Sequence, residues 1–260
     1  MRALLILILS LCFTLGALGQ ALPDSGFTNK NEAKNQMVNG LKEGKWFEYM
    51  GLWLDYVITN ANDTGAKYYC LSVYKEGIPQ GIVRGYYKNG KLLFEEPYKR
   101  GKRNGVVKYY YENGALNTAV PYSNDMQDGT IKIYYKNEIL KEEMPYAKGK
   151  EEGIQREYYE DGKLFKETTY TAGTKNGIEK EYYESGKLKN KVQFIRDTII
   201  GMFEEYYENG KVKDELPYTK GKMNGVEKTY NEKGQLHSET IWTNDVEGTK
   251  TFYDGNVSEY

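Results

Sequence analysis

Short runs of alternating apolar and polar residues dominate this chain, and they return on a fixed spacing. In Gly153-Ile-Gln-Arg-Glu-Tyr-Tyr-Glu-Asp-Gly-Lys-Leu-Phe-Lys-Glu-Thr-Thr-Tyr170, a period of two on either side of Asp161-Gly162 predicts a β-hairpin. One strand is expected from Ile154 to Tyr159 and its return from Lys163 to Tyr170. The same sentence recurs every 24 residues, opening on Gly81, Gly105, Gly129, Gly153, Gly177, Gly201 and Gly225. A fixed period of this length identifies a repeat array, and these seven glycines are read as structural turn residues. The hairpin tip holds Asn89-Gly90, Asn113-Gly114, Asp161-Gly162 and Asn209-Gly210 in its strongest copies. Asx-Gly dipeptides favour type I′ turns, because both residues accept positive φ. A second turn joins successive units at Gly101, Asp125, Gly149, Gly173, Asp197, Gly221 and Asp245. A slot filled only by Gly or Asp suits a left-handed position.

The expected fold is therefore all-β: an elongated antiparallel meander of about eight 24-residue β-hairpin repeats. Adjacent tyrosines such as Tyr158-Tyr159 must point to opposite faces of their strand, so both faces carry aromatic ladders. The array is read over residues 40–260. Its first unit, 44–80, contains an insertion around 51–65, and its last unit is abbreviated. Atypical terminal units are expected to cap such an array.

The Tyr86-Tyr-Lys-Asn-Gly-Lys-Leu92 and Tyr158-Tyr-Glu-Asp-Gly-Lys-Leu164 cores, with Gly221-Lys-Met-Asn-Gly225 as a spacer, resemble the variant MORN repeat. The resemblance covers about residues 40–255. It implies a twisted antiparallel sheet of hairpins and a role in protein–protein or protein–membrane contact. It also brings in the antitoxin-type proteins that carry this repeat.

Outside the array, residues 1–19 combine Arg2, an apolar run and a small-residue end before Gln20, the pattern of a cleaved signal peptide. Export to the periplasm, the cell envelope or the outside of the cell is expected. Residues 20–39 are polar, lack the repeat and are read as a flexible lead. Cleavage removes Cys12 and leaves Cys70 alone, so no intrachain disulfide is available. Cys70 is read as a buried thiol.

Charge changes the picture only by exclusion. The chain has 36 basic and 37 acidic residues, a balance with no footprint for nucleic acid and little attraction for anionic lipid. Chemistry is equally sparse. The single histidine, His237, occupies a slot that holds Leu93, Asn117, Lys141, Phe165, Lys189 and Lys213 elsewhere, so it is read as a surface site. No nucleophile elbow or phosphate loop is present, and no catalytic residue, metal or cofactor is expected. Glu95, Glu143, Glu167, Glu215 and Glu239 recur opposite Arg84, Lys108, Lys132, Arg156, Lys180 and Lys228. They are read as a charged row on a sheet face rather than as glycosidase acids.

Two departures from the repeat are the binding candidates: Trp53, Leu54 and Tyr56 in the insertion, and Ile195, Ile199 and Ile200 at a connection. The leading function is an exported, non-enzymatic scaffold for a protein partner. The alternatives are a module for envelope or cell-wall carbohydrate and an exported immunity-type antitoxin.

Overall fold

The computed structural model describes residues 26–50, 57–58 and 67–253. Residues 1–19, read as a signal peptide, and Trp53, Leu54 and Tyr56 of the insertion, lie outside the described residues. Apart from a 3-10 turn at Lys30–Glu32, every element is a strand, and all described pairings are antiparallel between chain neighbours, as in Gly153–Tyr158 with Leu164–Thr171 and Leu164–Thr171 with Gly177–Tyr182. The meander expected from the period is the fold.

The type I′ turn expected at the hairpin tip is found instead at the connection between units, whose Gly-or-Asp slot is left-handed as expected. At the hairpin tip only Gly162 has positive φ, +86°. Its N–H donates to the Tyr159 carbonyl at 2.9 Å, and the Tyr159 N–H donates to the Lys163 carbonyl at 2.8 Å. This is a type I turn followed by a left-handed glycine, with a one-residue register shift between Glu157 and Tyr158. The two-residue turn with both φ positive joins the units instead: Arg100 at +53° and Gly101 at +76° lie between the paired Lys99 and Lys102.

The seven repeat glycines are not turn residues. Gly105, Gly129, Gly153, Gly177 and Gly225 begin strands, while Gly81 and Gly201 lie inside Ile78–Tyr87 and Thr198–Tyr206. All have positive φ, and they sit where the pairing register slips. Around Gly105, for example, Tyr98 pairs with Arg103 but Glu95 with Lys108. That slip is of two residues, an even number, so each side chain keeps its face from unit to unit.

Two rows of side chains therefore run the length of the sheet, one on each face. One face carries Val107, Val120 and Ile131, packed against Tyr109, Tyr122, Met144 and Tyr146. All come from that same face, yet Val107 is 0% exposed; long aromatic neighbours replace a second layer. The other face carries the charged row and is termed the ladder face.

The lead is ordered over its described part, contrary to the flexible segment expected at 20–39. Gln36–Val38 pairs with the start of Leu41–Met50. The Asn35 amide then imitates a strand, donating to the Phe47 carbonyl at 2.9 Å and accepting from the Phe47 N–H at 2.8 Å. Val57–Ile58 pairs with Tyr49 and Met50. The first edge is thus covered along much of its length. At the other end Val246–Phe252 has one described neighbour and is exposed throughout.

Candidate interaction surface

The charged row is continuous in the pairing register. Arg84, Glu95, Lys108, Ala119, Lys132, Glu143, Arg156 and Glu167 are successive cross-strand Cα partners. The row goes on through Lys180, Lys191, Glu204, Glu215, Lys228 and Glu239. Opposite charges on adjacent strands stabilise a sheet by roughly 0.2–1 kcal/mol per pair. Arg84 bonds Glu95 at 3.1 Å; Arg156 reaches Glu167 at 3.0 Å and Glu143 at 3.2 Å. The hydrogen bond that Arg156 donates to Glu167 is the largest influence holding its guanidinium above its ordinary value.

The first tyrosine of each pair belongs to this row. Tyr110 donates to Glu95 at 3.0 Å, Tyr158 to Glu143 at 3.0 Å, Tyr182 to Glu167 at 3.1 Å and Tyr230 to Glu215 at 2.8 Å. Each bond reaches back 15 residues. Burial, then the bonded glutamate, pushes Tyr110 and Tyr230 up to about 12, so these phenols stay protonated donors. In the abbreviated last unit Tyr253 serves Glu239 at 2.7 Å.

Two positions depart from the pattern. At Lys191 the charges are exchanged across the pair: Lys191 bonds Glu204 at 2.7 Å, and Tyr206 turns to Glu204 as well. Ala119 has no such compensation.

Two residues along each strand, on the same face, runs an aliphatic stripe. Ile82, Val106, Ile154, Ile178, Met202 and Val226 face Pro97, Pro121, Thr169, Gln193, Pro217 and Ile241 across the pairing. Val106, Ile154, Ile178, Met202, Val226 and Ile241 are each 40 to 48% exposed. The stripe is broken at Thr130, yet exposed aliphatics aligned over so many strands are an uncommon feature for a free surface.

At its first end the same face is already covered, by the lead. Phe27 is 0% exposed, packed on Leu71 and Tyr86 with Phe47 and Tyr69 beside it. Leu71 is the Cα partner of Arg84, and Arg84 donates to the Phe27 carbonyl at 3.4 Å. Arg84 is accordingly the buried member of its row.

The sequence candidates fall elsewhere. Ile195 is exposed, opposite Thr198, whereas Ile199 and Ile200 are half-buried opposite Phe194 and Gln193. The turn between them is Arg196-Asp197, both with positive φ, so the isoleucines flank it on strands. His237 is exposed and meets Phe252 edge-on at 5.8 Å. Cys70 is buried, and burial pushes its thiol up to about 12. Among the described residues no three His, Cys, Asp or Glu side chains are grouped to hold a metal ion, and no helix is long and apolar enough to cross a membrane. Sequence reasoning missed Phe27 because its segment lacks the repeat. It passed over Ala119, although tabulating the glutamate slot reveals it.

A family model described as "MORN repeat variant" matches seven consecutive stretches: 79–100, 103–124, 127–148, 151–172, 175–196, 200–220 and 223–244. The chain belongs to the MORN repeat variant family. Each matched stretch begins near the two-residue turn that joins units, so the MORN unit contains the whole hairpin and its type I tip. Membership associates the protein with repeat scaffolds that bind proteins or membranes. No curated protein matches the chain.

Proposed function

We propose that this MORN-repeat protein is an exported, non-catalytic scaffold that holds a protein partner along its ladder face. The carrying observation is the stripe of exposed aliphatic residues from Val106 to Ile241. Beside it the charges are largely paired within the sheet, so a partner crossing this face meets apolar contacts flanked by a nearly neutral border. Apolar anchors inside a polar rim are the usual anatomy of a protein interface. The seat of Phe27 at one end is an intramolecular precedent for an apolar side chain on this face. Export rests on the signal-like residues 1–19.

The test is in-cell crosslinking of the tagged mature protein, with the photoreactive group placed at Ile154, Ile178 or Val226. One reproducible protein adduct at these positions, absent when the group is moved to the opposite face at Gln155, is the expected result. A chain held in the cell-wall fraction with no protein adduct would replace this reading with glycan binding.

A further inference from the structure

The charged row has one uncompensated position. Ala119 stands where the neighbouring units have Glu95 and Glu143, so Tyr134 lacks the acceptor that its counterparts have, and Lys108 and Lys132 lack a carboxylate between them. Lys108 and Lys132 are both Cα partners of Ala119, one on each side. Both lysines are exposed, whereas Arg84 is buried and Arg156, Lys180 and Lys228 are half-buried. Among the described residues neither forms an ion pair, nor does Lys180. Glu95 is engaged by Arg84 and Tyr110, and Glu143 by Arg156 and Tyr158. The third donor is Tyr134. Its counterparts Tyr110, Tyr158, Tyr182 and Tyr230 each donate to the glutamate 15 residues back. For Tyr134 that residue is Ala119, and its phenol makes no hydrogen bond to another described residue.

We propose that Lys108, Lys132 and Tyr134 form a carboxylate-binding site over Ala119, which takes a glutamate or aspartate side chain from the partner held on the ladder face. The donor set has the character of the one that the protein uses on its own glutamates: basic groups from adjacent strands and one phenol. Half-buried Ala119 ends at its methyl where the neighbouring units carry a whole glutamate side chain. One flank is apolar, with Val106 and its partner Pro121 on the same face, while exposed Thr130 holds the equivalent position beside Lys132, so the fitting ligand is an acidic residue with an apolar neighbour in an extended segment. Two ammonium groups with no acid between them also supply charge complementarity at a defined point on an otherwise neutral surface.

This deepens the scaffold reading and rests on it, but its test is separate. The mature protein, labelled at alanine methyl groups, is titrated with N-acetyl-Thr-Ile-Glu-Ile-Thr-amide and followed by NMR. The expected result is a saturable shift of the Ala119 methyl with the Glu peptide, and affinity at least about ten-fold weaker for the Gln analogue, as loss of a charged hydrogen-bond partner implies. Ala119→Glu, which restores the row, is expected to abolish binding and to raise Tm. Lys132→Gln, a surface change that leaves the sheet intact, is expected to weaken binding about ten-fold. Equal affinity for the two peptides, or undiminished binding by both variants, would overturn the proposal. So would saturable shifts with inorganic phosphate or phosphatidylserine vesicles in place of the Glu peptide. A silent titration beside a captured partner removes this site and leaves the scaffold; binding without any partner in cells does the reverse.

Discussion

The phenol of Tyr159 donates to the backbone carbonyl of Tyr182 at 2.7 Å, so each hairpin grips the next. The same bond runs from Tyr111 to Tyr134, Tyr135 to Tyr158, Tyr183 to Tyr206 and Tyr207 to Tyr230, always across 23 residues. In the Tyr110, Tyr158 and Tyr182 units the first tyrosine of the pair reaches back to a glutamate, while the second reaches forward to a carbonyl. The Tyr110-Tyr111, Tyr158-Tyr159 and Tyr182-Tyr183 pairs thereby each tie three units together, a nearest-neighbour coupling on which a repeat array depends.

Tyr159→Phe keeps the ring and removes one donor. The cost is expected at about 0.5–1.5 kcal/mol. Thermal unfolding checks it, and the same loss should appear at Tyr135 and Tyr183, since the geometry is shared. A cost at one site only would show that the bond does not act as a repeating element.

Gly85 departs from a slot occupied by Tyr109, Ile133, Glu157 and Glu181 elsewhere. Its cross-strand partner Phe94 explains it: a Cβ at position 85 would lie 2.0 Å from the Phe94 ring. Gly85→Ala is expected to destabilise by about 1–3 kcal/mol through overpacking. Once Phe94 is replaced by Thr, the residue of the next unit, the alanine should cost little. Strict additivity in this double-mutant cycle would remove the explanation.

Asp214 has one carboxylate oxygen buried without a partner. Burial, then Glu227 and Glu205, pushes its carboxyl up to about 6 from 3.8. Between those values the native chain holds a proton that the unfolded chain has lost. The resulting stabilisation is complete below 3.8 and disappears as pH rises through about 6. Asp214→Asn should therefore have the higher Tm at neutral pH, with its advantage shrinking as the solution is acidified towards the lower value. Melting curves of both proteins across that range are the check, and a pH-independent difference would exclude this origin.

Cys70 is 7% exposed, and its thiol is pushed up to about 12 by burial, then by Glu48 and Glu96. A thiol is nucleophilic as its anion. Native protein is expected to resist a disulfide reagent at mildly alkaline pH and to react fully once unfolded in guanidinium. Rapid labelling of the native chain would contradict the buried environment.

The sequence by itself determined the period, the hairpins, the alternation of faces and the alignment of the charged row. These follow from local rules: which residues accept positive φ, and which face a side chain takes on a strand. The tertiary structure decided what those rules cannot carry. The Asp161-Gly162 tip became a type I turn because its hydrogen bonds close from Tyr159, while Arg100-Gly101 took the two-residue turn. Phe27 found its seat on Leu71 and Tyr86 from a segment with no repeat signal, because burial there depends on residues tens of positions away. Ala119 is plain in the sequence as an alanine. Its meaning depends on Lys108 and Lys132 as its cross-strand partners, a pairing that the register slip between units sets, and on Tyr134 in the slot of Tyr110 and Tyr158.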